Sequence, residues 1–301
     1  MKSIARILFS AATVLTVYGP ASALLAADDP RDGLAKKMLP IYVKDAEAYS
    51  FAVESAPKKE LELKKEPVFE WSNPARHDQQ GVIFLWLRDG RPAALAGIFS
   101  HPHEKLPGRQ IMHELHALDS EKLLVKRDSY HQWKPQKGLV RKELPDAPTP
   151  ASTSATRILQ IRRLAEGFTG HEIDYGLKRW EMRLLPTPLY RYPAAKTGVV
   201  DGALFALVSN AGTDPEVLLI IEAREVDGKL RWEYACGRYS DFELRVNWKD
   251  KEVFTSISSE TNGFYNDPLH LYRLYPEKVV TLEGKLLARI KDGEAIPVED
   301  K

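Results

Sequence analysis

Residues 61–88 read LELKKEPVFEWSNPARHDQQGVIFLWLR, and residues 182–209 read MRLLPTPLYRYPAAKTGVVDGALFALVS. At an offset of 121 without a gap, Leu63 meets Leu184, Pro67 meets Pro188, Gly81 meets Gly202 and Phe84 meets Phe205. Aromatic residues coincide at Phe69/Tyr190 and Trp71/Tyr192. The register returns downstream, where Leu123, Val125 and Trp133 fall on Leu244, Val246 and Phe254. Self-similarity at a long fixed period is a signal about architecture. The chain is expected to hold one unit twice, with Glu114 of HELHAL and Glu233 of WEYACG brought into line by small loop adjustments.

Each copy opens with helical spacing and continues in strands. Leu34, Met38, Ile41, Tyr42 and Ala46 recur roughly once per turn, although Pro40 must start or break a helical piece. Ile158, Ile161, Leu164, Ala165 and Phe168 form a second apolar stripe, with Ser152 or Ser154 as its cap and Gly167 and Gly170 as its end. Asp89-Gly90 between two apolar runs predicts a type I′ hairpin, whose central residues both need positive φ. The runs ALFALV (203–208) and VLLII (217–221) are apolar at both parities, which predicts strands buried on both faces.

The fold expected from this pattern is α+β. Two similar units are related by a pseudo-twofold axis, each a helix packed on an antiparallel β-meander. The order is similar to that of a cystatin-like or nuclear-transport-factor-like roll. The units span 24–145 and 155–257, with a Pro-rich linker at 146–154 and a C-terminal extension at 258–301.

Residues 1–23 read as a secretory signal peptide. Lys2 and Arg6 precede an apolar run from Ile7 to Tyr18, and Ala21-Ser22-Ala23 offers the small residues of a cleavage site. The run is shorter than the roughly 20 residues that cross a bilayer. An exported protein is expected, periplasmic or extracellular, with no membrane anchor after cleavage near Ala23. Forty-three basic and 42 acidic residues leave a charge of +1, which gives no electrostatic case for nucleic acid. A single cysteine, Cys236, excludes an internal disulfide, a C-x-x-C-H haem site and any multi-cysteine zinc site. In its apolar strand it is expected to be a small core residue.

Five of the eight histidines, His77, His101, His103, His113 and His116, fall within forty residues of the first unit. HELH is not the zincin H-E-x-x-H, whose histidines stand four apart on a helix. On a strand Glu114 and His116 share one face, and His113 points to the other. His101, His103, His113 and His116 are therefore weak candidate metal ligands, with polar strand faces as the plainer reading. Glu114 and Glu233 are the weak ligand-binding candidates. As a symmetric pair they would suit acid/base work. As ordinary strand glutamates each would stay ionised, held by backbone donors or by an arginine such as Arg91, Arg224, Arg231 or Arg238, and replacement by Gln would cost about 1–3 kcal/mol. The chain holds no G-x-S-x-G elbow, P-loop or G-x-G-x-x-G. No catalytic residue and no cofactor is assigned. Trp71, Tyr190, Tyr192, Tyr272 and Tyr275 are aromatics that would stack on a sugar or peptide if exposed, or pack in the core otherwise.

The segments PVFEWSNP, GVIFLW, HELHAL, MRLLPTPLYRYP, DGALFALVSNAGTDPEVLLIIEAR and RWEYA resemble a family of exported bacterial proteins with no assigned function. The resemblance implies export and a shared fold, and it transfers no site residue. The leading expectation is a non-catalytic exported binding or structural module, its partner an extracytoplasmic ligand or protein. The alternative is a metal-dependent hydrolase built on the histidine-rich first unit.

Overall fold

The computed structural model describes residues 30–136, 138–194, 196, 198–257 and 267–298, so the expected signal peptide lies outside the described residues. Helix α1 (Pro30–Glu47) comes first, followed by β1 (Ser50–Val53), β2 (Ala56–Glu60), β3 (Glu62–Asn73) and β4 (Gln79–Arg88). Next are β5 (Arg91–Pro102), β6 (Arg109–Ala117), β7 (Leu123–Lys126) and the short β8 (Lys142–Glu143). Helix α2 (Ser154–Glu166) leads into β9 (Phe168–Ile173), β10 (Arg179–Leu184), β11 (Tyr190–Ala194) and β12 (Val199–Ser209). Strands β13 (Pro215–Val226), β14 (Lys229–Arg238), β15 (Glu243–Trp248) and β16 (Lys251–Ser256) follow. The described chain ends in β17 (Tyr272–Val280), β18 (Leu286–Lys291) and β19 (Glu294–Pro297).

These strands form three sheets. A seven-stranded sheet has the order β19-β18-β17-β6-β5-β4-β3. A nine-stranded sheet runs β16-β15-β9-β10-β12-β13-β14-β8, with β11 also paired to β12. A small third sheet is β2-β1-β7. The expected α+β architecture of two helix-on-meander units is therefore corrected: the protein is mostly β, with three sheets and two helices among the described residues. The reason lies in where the remaining segments go. The tail beyond 258 supplies β17 to β19, and β17 pairs with β6 along its length. Strands β9, β15 and β16 extend the second sheet, and β8 crosses from before α2 to pair with β14. Periodicity marks a strand, but it does not say which sheet receives it.

Three hydrophobic clusters fill the spaces between these layers. Val82, Phe84 and Trp86 of β4 pack with Met38, Tyr42 and Ala46 of α1 and Phe51 and Val53 of β1. Phe205 and Leu207 of β12 and Val217, Leu219 and Ile221 of β13 pack with Ile161, Leu164 and Ala165 of α2. The alternate residues Ile83, Leu85, Leu204, Ala206, Val208, Leu218 and Ile220 meet between the two large sheets. Central strands are apolar at both parities because both of their faces are covered. This burial also carries α1 through Pro40, which lies inside the helix. Thr153, rather than either flanking serine, caps α2, accepting a hydrogen bond from the Thr156 amide at 3.2 Å. Asp89 and Gly90 have φ of 48° and 86°, as a two-residue hairpin of this hand requires.

Candidate functional site

One end of the space between the large sheets is not filled. A cavity of 480 Å³ lies there, lined by Trp71, Phe99, Met112, Tyr239, Phe242 and Leu274 and by Arg76, Glu114, Asp214 and Asp241, with His77 and His101 at its wall. That volume is within the ~300–1,000 Å³ of small-molecule sites. The position follows from two turns. The β3–β4 turn carries Arg76, and the β12–β13 turn carries Asp214 into the first residues of β13.

The two turns are stitched together across the sheets. Ser72 N donates to Thr213 Oγ1 at 3.1 Å, and Thr213 N donates to Ser72 O at 3.2 Å. Asn73 serves both sides: its Oδ1 accepts from Arg76 N at 3.2 Å, and its Nδ2 donates to Asp214 Oδ1 at 2.9 Å. His77 and Asp78 then hold φ of 54° and 52°, a left-handed conformation that non-glycine residues seldom adopt. The fixed backbone aims Arg76 at the second sheet. Its Nη2 donates to Glu172 Oε1 at 2.7 Å and its Nη1 to Asp214 Oδ2 at 3.1 Å. Glu216 Oε1 lies 3.0 Å from the same Nη2, off the line of its N–H, and neither Glu216 oxygen accepts a hydrogen bond from a described N–H or O–H donor. The guanidinium also covers the ring of Phe242, 4.6 Å from its centroid.

Carboxyls outnumber the charge that serves them. Burial raises Glu216 well above the usual carboxylate range against the pull of Arg76, and it raises Glu172 in the same way. The two carboxyls act on each other, Glu172 adding to the rise of Glu216. Both are fully buried behind Arg76 and do not line the cavity, so this pair is not presented to a substrate.

Glu114 does line it. Its Oε1 accepts from the Tyr272 hydroxyl at 2.7 Å, and its backbone oxygen accepts from the Tyr239 hydroxyl at 3.1 Å. Oε2 has no hydrogen-bond partner among the described residues. Burial raises the Glu114 carboxyl well above its ordinary value, against the opposing Tyr272 hydrogen bond. In place of the expected arginine, Tyr272 holds the Glu114 carboxyl at the cavity wall.

Glu233 is not its counterpart. Ile83 pairs with Gly97 and Gly97 with Glu114, while Leu204 pairs with Ile220 and Ile220 with Ala235. Since Ile83 and Leu204 correspond at the offset of 121, the ladders put Ala235 where Glu114 stands, two residues from Glu233. Glu233 lies opposite Glu222 and Glu143, with Arg224 Nε 3.6 Å away.

Of the four histidines expected as weak metal ligands, His101 and His103 line one surface cavity, while His113 and His116 lie apart from it and from each other. His101 also touches the wall of the cavity between the sheets, and its Nδ1 lies 3.0 Å from Pro102 O. His103 Nδ1 accepts from the amides of Lys105 and Leu106. His113 is fully buried on the opposite face of β6, between Asp45 and the Tyr49 hydroxyl. His116 lies against Gly237 and is lowered to about 3 by burial. Among the described residues no group of three or more His, Cys, Asp or Glu is placed to hold a metal ion.

Arg76, Asp214, Glu216, Asp241 and Phe242 were not singled out from the sequence. For Asp214 and Glu216 the available signal was charge at the border of an apolar strand, in DPEVLLII (214–221), where a solvated turn does not need two acids. No family model matches the chain, and no curated protein or solved structure matches it. No helix among the described residues is long and apolar enough to cross a membrane.

Proposed function

We propose that the protein is an exported, non-catalytic binding module whose ligand seat is the cavity between the two large sheets. The observation that carries this reading is the cavity itself: 480 Å³ walled by aromatic rings, with the Glu114 carboxyl directed into it. Concave, mostly apolar sites with a few fixed polar groups are how small ligands are held. The carboxyls of Glu172 and Glu216 are closed off behind Arg76. The metal-dependent hydrolase alternative has no arrangement of His101, His103, His113 and His116 in its favour.

The test is a thermal-shift screen of small molecules on the purified mature protein and on Met112→Trp, which fills the cavity from its wall. Compounds should stabilise the first and not the second. Stabilisation that persists in Met112→Trp places the ligand elsewhere, and a screen without hits overturns the reading. Metal analysis of the same sample tests the hydrolase. Mass spectrometry tests export, which requires an N-terminus near residue 24.

A further inference from the structure

We propose that the cavity takes an organic cation, an amine or quaternary ammonium with an apolar body, held against its aromatic rings with Glu114 as counter-ion. The proposal rests on the binding-module reading and narrows it to one class of ligand.

Charge supplies the first argument. Arg76 is the one guanidinium or ammonium group lining the cavity among the described residues, and it already serves Glu172, Asp214 and Glu216. Glu114 and Asp241 line the same space. His101 adds no steady positive charge, because burial lowers it below its ordinary value. An anion entering here would find acids on most sides and a guanidinium already committed. A cation would find carboxyls short of a partner.

Geometry supplies the second. Glu114 is 7% exposed, and its Oε2 has no described hydrogen-bond partner. Oε2 keeps accessible surface at the cavity wall, so a ligand group seated there can reach it. The rings of Trp71, Phe99, Tyr239 and Phe242 line the same space. Aromatic faces attract cations most strongly when water is excluded, and Arg76 over Phe242 uses that chemistry at the same wall. The groups that face Glu114 are Tyr272 and the charges of Arg76, Asp214 and Asp241. Burial raises its carboxyl well above the ordinary value, and an incoming cation would favour the ionised form.

Calorimetric titration with choline and with its neutral carbon isostere, dimethylbutanol, separates charge from shape. Wild type should bind choline about tenfold more tightly than the isostere, the size expected of a desolvated cation–aromatic contact. Glu114→Gln should reduce that preference several-fold, and Met112→Trp should abolish binding of both. Equal or tighter binding of the isostere, blocked by Met112→Trp, overturns the cation and leaves the binding module standing. Choline binding that Met112→Trp leaves intact overturns this proposal by placing the site elsewhere. No binding of either probe also overturns it, while the thermal-shift screen decides on the module separately. The wild-type comparison needs no variant to fold.

Discussion

Arg91 and Glu222 join the two large sheets through a bidentate pair: Nε donates to Oε1 at 2.7 Å and Nη2 to Oε2 at 2.6 Å. Tyr192 Oη donates to Oε1 at 2.7 Å and Arg141 Nε to Oε2 at 2.8 Å, so both carboxylate oxygens are fully used. Against the burial that would raise it, these partners hold Glu222 below its ordinary value. Glu222 and Glu216 sit toward opposite ends of β13, one in a closed ionic cluster and the other behind the cavity. The closed cluster is structural, because nothing in it is left for a ligand.

Replacing Glu222 with Gln would leave Arg91 and Arg141 buried without a counter-charge. Breaking such a cluster from one side typically costs about 3–5 kcal/mol. Urea unfolding of Glu222→Gln should show a loss of that order, and a loss below about 1 kcal/mol would mean that the sheets are held without this pair.

The strand periods and the Asp89-Gly90 turn were legible because they are local. The three-sheet arrangement was not, since β17 finds β6 across more than a hundred residues and no spacing in the sequence encodes that. The site was half legible for the same reason. Glu114 and Trp71 stood out as a charge and a ring in apolar strands. Arg76 owes its position to Asn73 and Thr213, which meet only after both sheets form. The false pairing of Glu114 with Glu233 shows the limit of gapped self-alignment: an assumed two-residue loop adjustment preserves strand parity and moves the partner, whereas the ladders keep the offset of 121.

Asp45 gives a test in acid. Burial would raise its pKa, but hydrogen bonds and charge from His113 and Lys278 hold it down to about 2, from 3.8. A depressed folded-state value stabilises the fold above the unfolded value and is lost as pH falls through the folded one. About 2 kcal/mol should therefore disappear between the two values, since each unit is ~1.4 kcal/mol. Denaturation of wild type and Asp45→Asn across this window should show a decline in the first that is absent from the second. Parallel curves would remove Asp45 from the acid response.

Gly97 tests the packing beside the cavity. A Cβ there would lie 2.3 Å from the Tyr239 hydroxyl oxygen, the group that donates to Glu114 O. Overpacking of this kind costs about 1–3 kcal/mol. Gly97→Ala should be destabilised by that amount, and by less in a Tyr239→Phe background, where the clashing atom is gone. An equal cost in both backgrounds would place the strain in the β5 backbone instead.

Glu114 decides between the two descriptions of its own site. An ionised glutamate held by charged donors would lose about 1–3 kcal/mol on conversion to Gln. The structure predicts the other sign. With the folded-state value raised by burial, Glu114 favours the fold below the ordinary carboxyl range, and this contribution is lost as pH rises through the raised value. Gln has nearly the same shape, can still accept from Tyr272 and does not titrate. Glu114→Gln and wild type should melt together in acid, and the variant should become the more stable of the two as pH rises, in the absence of ligand. A neutral-pH loss of the size quoted for an ionised pair would restore the ionised carboxylate and remove the protonated acid from the cavity wall.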